Sequence, residues 1–411
     1  MSIAKIRKIL NAQVCISKAR FDCFRVKHRS KISDGGRTRT GLLVKKQHLT
    51  CPRLYFHMNF MRNRATLTSS VLDEGKCIGG SIPLELYFVK LWLIAAVSIL
   101  FCCGKSDAIP SSPNVYVAGL IGRDSGVYWK NGVLTYLQGI QPTSITVSGP
   151  DVYLAGYGWT GSSYIANYSK NGIITNLSDG THHQGGAQAI AVSGTNVYVA
   201  GVLRDSTGVV TAVYWKNGVA KNLTNGTNEA GAHSIAVFGN DVYVAGYDGR
   251  VAKYWKNGVA VSLNDGTEVA SAFSVMVSGS DVYVAGTIYN AQSNNYSSLY
   301  WKNGVATNQS TLASSNNSII SSVIVSGSDV YATGVTQNQS AVYWKNGVQT
   351  TLSNHGGAND IAVSSSHIYV TGYVVKGYGV EIPVYWNNGV QATLNDLSDP
   401  SGGNAFGIFL K

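Results

Sequence analysis

The sequence predicts an all-β protein, a seven-bladed β-propeller of four-stranded antiparallel blades. Three observations carry this. The phrase YWKNGV begins at Tyr128, Tyr214, Tyr254, Tyr300 and Tyr343, with variants YSKNGI at Tyr168 and YWNNGV at Tyr385. A second phrase, VYVAG or a close variant, begins at Val115, Val152, Val197, Val242, Val282, Val330 and Ile368. The two ends of the array complement each other, as a closing ring requires.

Each repeat has a constant order. An IAVSG-like phrase, such as Ile190–Gly194, reads as strand one, rich in residues that suit a pleated surface. The SGSD that follows is a tight turn. VYVAG is strand two, read as a half-buried strand ending in Gly. A loop of variable length leads to strand three, which ends in Tyr-Trp-Lys. Asn-Gly then supplies the two positive φ angles of a type I′ hairpin turn. A short strand four closes the unit near a Leu. The Tyr of successive VYVAG phrases lie 37 to 48 residues apart. This length and four strands per unit suit propeller blades better than the shorter, more even repeats of a solenoid.

The first copy starts at Asn114 and lacks its own strand one. The last copy is followed by AFGIFLK, Ala405 to Lys411. This segment matches the missing strand, so the C-terminus is expected to complete the first blade. Closure removes the two free edges an open array would expose.

IAVSSSHIYVTGY, from Ile361 to Tyr373, resembles the bacterial β-propeller repeat family whose units read roughly IAVD..GN.YVTG.T. The resemblance covers residues 114–411. It implies the fold and no particular activity, because that family has no shared catalytic signature. The YWKNG phrase is not part of its pattern.

The chain before the repeats is different in kind. Residues 1–103 hold 18 Lys+Arg and 5 Asp+Glu, a net of +13; the remainder holds 14 and 16, a net of −2. The repeat region therefore has no basic field for phosphate, and nucleic acid is not an expected partner. All 6 cysteines precede the repeats, so the propeller depends on packing and hydrogen bonds alone. Residues 1–86 read as a basic leader, disordered or not part of the mature protein. Residues 87–103 contain LWLIAAVSILFCC, which has the length of a signal-peptide core. With Cys103 at its end it resembles a bacterial lipoprotein signal, Cys103 being the lipidated residue; an uncleaved membrane anchor is the alternative. Residues 104–113 form a linker. The expected location is the cell envelope, after export.

Functional expectations rest on an asymmetry between the two faces. The one-to-two and three-to-four turns are near-constant. The two-to-three loops range from YDGRVA to TIYNAQSNNYSS. Recognition tends to reside on varied loops held by a rigid scaffold. Tyr157, Trp159 and Tyr247 are the aromatic candidates. A second set sits two residues before the apolar start of strand one: Thr143, Gln188, His233, Phe273, Ser321, Asn359 and Phe406. Its neighbours are nearly constant, yet its seven members are of six kinds, as an asymmetric ligand at a channel mouth would require. The expected function is a monomeric, non-catalytic binding or adhesion module for carbohydrate or peptide, with no cofactor. A glycoside hydrolase or lyase is one alternative, and a protein scaffold of the envelope is another. A glycosidase needs two facing carboxylates, and only Asp360 stands at the start of a strand one. His182, His183, His233 and His355 fall in four-to-one linkers at unequal offsets, so no shared metal site is expected.

Overall fold

The computed structural model describes residues 113–122, 124–178, 184–306, 317–365, 367–394 and 402–411, with five strands further upstream. The chain divides into two compact units, Met1–Ser112 and Pro113–Lys411. In the first, Arg29–Ser33 pairs with Arg37–Gly41. Leu54–Met61, Arg64–Asp73 and Lys76–Ile82 form an antiparallel meander. Segment 87–103, with Cys103, lies outside the described residues. No helix among the described residues is long and apolar enough to cross a membrane.

The second unit is a ring of seven four-stranded antiparallel sheets. Blade 1 comprises Gly403–Leu410, Val115–Ile121, Ser125–Lys130 and Val133–Tyr136, from the centre outwards. Blades 2 to 7 span 141–176, 184–222, 230–262, 269–306, 319–353 and 356–393. The innermost strands touch one another in a closed cycle, Gly403–Leu410 meeting both the seventh blade and the second. The expected closure is therefore present. Ala405 pairs with Gly119 and Leu410 with Val115. Asn114 N–H donates to the Lys411 carbonyl at 2.7 Å, and Lys411 N–H returns to Asn114 at 2.9 Å.

Strand two differs from its half-buried reading. In blade 3, five consecutive residues, Val197 to Gly201, are buried. Every blade is packed between two others, so both faces of the strand are covered, and alternation gives way to a continuous apolar run. Nor does the strand end at Gly: it runs on to Arg204.

Each letter of YWKNG has a distinct task. The Trp wedges between blades. Trp129, Trp215, Trp255, Trp301, Trp344 and Trp386 are at most 1% exposed. Each packs on the preceding blade, as Trp215 does on Tyr153, Ala155 and Leu177. The Lys ammonium lies over the Tyr ring of strand two, for example Lys302 over Tyr283 at 5.3 Å. In blades 2, 4, 5 and 6 it also meets the Asp that opens that strand, as Lys345 meets Asp329 at 2.7 Å. The Asn adopts the predicted left-handed conformation, with φ of 50° at Asn346 and 82° at Gly347. Its side chain does more than allow the turn. Asn346 Oδ1 accepts the Val330 N–H at 2.8 Å, and Nδ2 donates to Asp329 Oδ1 at 2.7 Å. The same clamp recurs at Asn131, Asn171, Asn217, Asn257 and Asn303. At Asn388 only the bond to Ile368 N–H is made.

Candidate functional site

The seven variable positions prove to share one structural feature. In each blade, strand one and strand two slip register by one residue. The slips fall between Ala155/Gly156, Ala187/Ala189, Ala232/Ser234, Ala272/Ser274, Ile320/Ser322, Ala358/Asp360 and Ala405/Gly407. The residue left without a partner in strand two is Thr143, Gln188, His233, Phe273, Ser321, Asn359 or Phe406 in turn. All seven are partly exposed. A β-bulge turns one side chain out of the ladder pattern without disturbing the rest, so this position tolerates any residue chemistry.

The Gly of VYVAG makes the bulge possible. A Cβ on Gly119, Gly156, Gly201, Gly246, Gly286, Gly334 or Gly372 would run into a carbonyl on the opposite strand, just before the bulge. For Gly246 that carbonyl is Gly231's, and for Gly372 it is Gly357's. The glycine is needed for close backbone approach.

The seven bulge residues divide by what they touch. His233 stacks on Tyr247 at 5.6 Å and meets Phe273 of the next blade at 5.4 Å. Burial lowers the His233 pKa to about 4, so the imidazole is neutral at pH 7. Burial also raises the Tyr247 phenol. Thr143 donates to the Ala187 carbonyl at 2.8 Å, and Asn359 to that of Ala405 at 2.8 Å. These two side chains stitch one blade to the next. Among the described residues, no hydrogen bond engages the side chains of Gln188 or Ser321, and Phe406 is likewise partly exposed.

Tyr157 and Trp159 stand apart from this ring. Tyr157 meets Tyr164 edge-on at 5.2 Å, and Trp159 meets Tyr164 at 4.8 Å. All three belong to the two-to-three hairpin of blade 2. Trp159 is 58% exposed, the most open tryptophan among the described residues. Of the aromatic candidates, therefore, Tyr247 joins the bulge ring and the other two form a separate platform.

Asp360 occupies the position after the bulge. Its Oδ1 accepts the Ile361 N–H at 2.9 Å and the Ser322 hydroxyl at 2.8 Å. Its Oδ2 accepts the Ile408 N–H at 3.0 Å. Burial raises its pKa, and these three donors oppose the rise. Ser234 and Ser274 hold the same position and accept the Val275 and Val323 N–H groups of the next blade, at 3.2 Å and 3.1 Å. Sequence reasoning missed this inter-blade row. Its signal was a Ser or Asp directly after five of the seven variable residues, as in HSIAV, FSVMV, SSVIV and NDIAV.

Three carboxylates of the variable face are also engaged. Lys253 pairs with Asp248 at 2.7 Å. Asn290 donates to Glu268 at 2.5 Å, and Asn404 to Glu381 at 3.1 Å. Among the described residues no group of three His, Cys, Asp or Glu is placed to hold a metal. His182 and His183 lie outside the described residues.

Comparison with family models and with curated protein sequences finds no match. Among solved structures, the native arabinanase Arb43A of Bacillus subtilis is similar at 10% identity and a TM-score of 0.31, covering 62% of this chain and 98% of the arabinanase. A likeness that distant has no bearing on what this chain does.

Proposed function

We propose that the protein is a non-catalytic binding or adhesion module that recognises carbohydrate or peptide on its variable face. One observation carries this reading: the seven variable residues near the start of strand one all occupy the same bulge, one per blade, on the innermost strands. The scaffold holds them rigidly, and the bulge lets them vary without cost to the ladder. Their mixture of hydroxyl, amide, imidazole and phenyl groups suits a ligand with both polar edges and apolar faces. The Trp159 platform offers a second stacking surface on the same side.

We further propose that segment 87–103 exports the chain and that Cys103 carries the lipid holding it to the cell envelope. The likeness of the repeats to the bacterial propeller repeat family is in keeping with such a location.

The test is a glycan and peptide binding screen on the purified protein, repeated with Phe273→Ala and with Trp159→Ala. Loss of a ligand in Phe273→Ala supports the bulge ring. A ligand retained by both variants overturns the assignment of the face. The mass of the mature N-terminus tests lipidation at Cys103.

A further inference from the structure

Six of the seven blade seams contain a tryptophan from strand three. The seam between blades 1 and 2 does not. At the position where the other blades carry Trp129, Trp215, Trp255, Trp301, Trp344 or Trp386, blade 2 carries Ser169 in YSKNG. The apolar cluster of this seam is accordingly small, centred on Tyr116, Ile145, Val147 and Leu154.

The missing ring leaves space. A cavity of about 310 Å³ lies between the blades. Its walls include Tyr128, Leu137, Val152, Leu154 and Ser169. These match, one for one, the surroundings of Trp215 in the next seam: Tyr168, Leu177, Val197 and Val199, with Ser169 in place of the tryptophan itself. Leu154 stands where VYVAG has Val, which adds one carbon and does not fill the gap. An enclosed cavity of about 150 Å³ is enough to take up benzene; this one is larger in volume and opens to solvent on its outer side.

The cavity also has an unmet polar requirement. Ser169 is fully buried, and its hydroxyl has no hydrogen-bond partner among the described residues. Leaving such a group unsatisfied is costly. Trp215 shows one way an N–H is received in the adjacent seam, its Nε1 donating to the Leu177 carbonyl at 2.9 Å, whereas Nε1 of Trp129, Trp301, Trp344 and Trp386 finds no partner among the described residues. Leu137 is the counterpart of Leu177, each donating its own N–H to the matching residue of strand three. The outer rim of the cavity is open and largely polar, formed by Thr135, Gln138 and Asn171 with Tyr136, which is 60% exposed.

We propose that this cavity binds one indole-class aromatic group, a planar bicyclic ring with a single N–H. The fold has built the mould of an indole here and omitted the side chain that fills it elsewhere. The ring lies between Tyr128 and Leu154, its N–H directed to the Leu137 carbonyl and its edge to the Ser169 hydroxyl. The group can arrive as a free small molecule or as a tryptophan side chain of a peptide.

Full-length protein is titrated by calorimetry with indole and, separately, with a tryptophan tripeptide flanked by glycines. The expected result is saturable uptake of one equivalent of at least one of them, with a rise in Tm. In Ser169→Trp the protein's own indole occupies the cavity. Uptake is then lost, and the Tm of the unliganded protein rises. Should that variant not fold, Ser169→Leu narrows the cavity and weakens uptake by at least about tenfold. Absence of saturable uptake of either probe overturns the proposal. So does uptake unchanged in a folded Ser169 variant, because the ligand is then held elsewhere, such as at His233 and Phe273.

Discussion

Asp360 Oδ2 accepts the backbone N–H of Ile408 at 3.0 Å, which ties the seventh blade to the strand that closes the ring. The carboxylate on which a hydrolase reading depends is thus occupied as a latch. Ser322, on the other side, donates to the same group at 2.8 Å.

Replacing Asp360 discriminates latch from catalyst. Asp360→Ala leaves the Ile361 and Ile408 N–H groups unpaired, and is expected to cost about 1–3 kcal/mol. Asp360→Ser restores the arrangement at Ser234 and Ser274, and should cost far less. The sign of the pH effect follows from the raised pKa. A carboxyl that titrates higher in the folded state favours folding at low pH, and that stability is lost as pH rises through its folded pKa. Asp360→Ser should flatten the curve across that range. Urea unfolding at several pH values measures both effects.

His233 has the opposite dependence. Its pKa falls from 6.5 to about 4 on folding. The unfolded chain therefore takes up a proton first, and stability is lost as pH falls from 6.5 towards 4. The loss is at most about 3 kcal/mol. His233→Phe keeps a ring between Tyr247 and Phe273 and removes this dependence. Its unfolding midpoint should be less acid-sensitive than that of the parent protein.

Two glycines separate close approach from turn conformation. Gly246→Ala drives a Cβ into the Gly231 carbonyl and should cost about 3 kcal/mol. Gly172 has a φ of 85°, and a Cβ added there would meet nothing within 4 Å. Gly172→Ala therefore meets only the left-handed penalty, about 1 kcal/mol. Thermal unfolding of the two variants compares them.

The YWKNG turn yields a similar contrast. Asn346→Asp keeps an acceptor for the Val330 N–H but sets a carboxylate against Asp329. It should lower stability at neutral pH and recover as the pair is protonated in acid. Lys345→Ala removes an exposed ion pair and a ring contact, and should change the midpoint little. Circular dichroism melts at pH 7 and pH 4 provide the check.

The ring itself is tested at its end. Deleting residues 403–411 removes the innermost strand of blade 1 and bares an edge at Val115–Ile121. The truncated chain is expected to aggregate or to melt without cooperativity, as judged by light scattering and calorimetry.

The repeat made most of this architecture legible. Seven copies of VYVAG and of YWKNG established blade number, strand order and turn type, because strand period and Asn-Gly turns are local chemistry. The partnership of Ala405–Lys411 with Val115 could also be read, from a missing strand at one end and a spare one at the other. The candidate ring at Thr143, Gln188, His233, Phe273, Ser321, Asn359 and Phe406 was visible only as variation. Tertiary structure explained it as a bulge, which depends on how two strands register and leaves no local signature beyond the facing glycine. The same holds for Asp360, whose carboxylate meets Ile408 across 48 residues, and for Ser169, a single changed letter whose effect is a space between two blades. Sequence by itself determined the blades; the packing of each blade on the next decided which side chains are free to recognise anything.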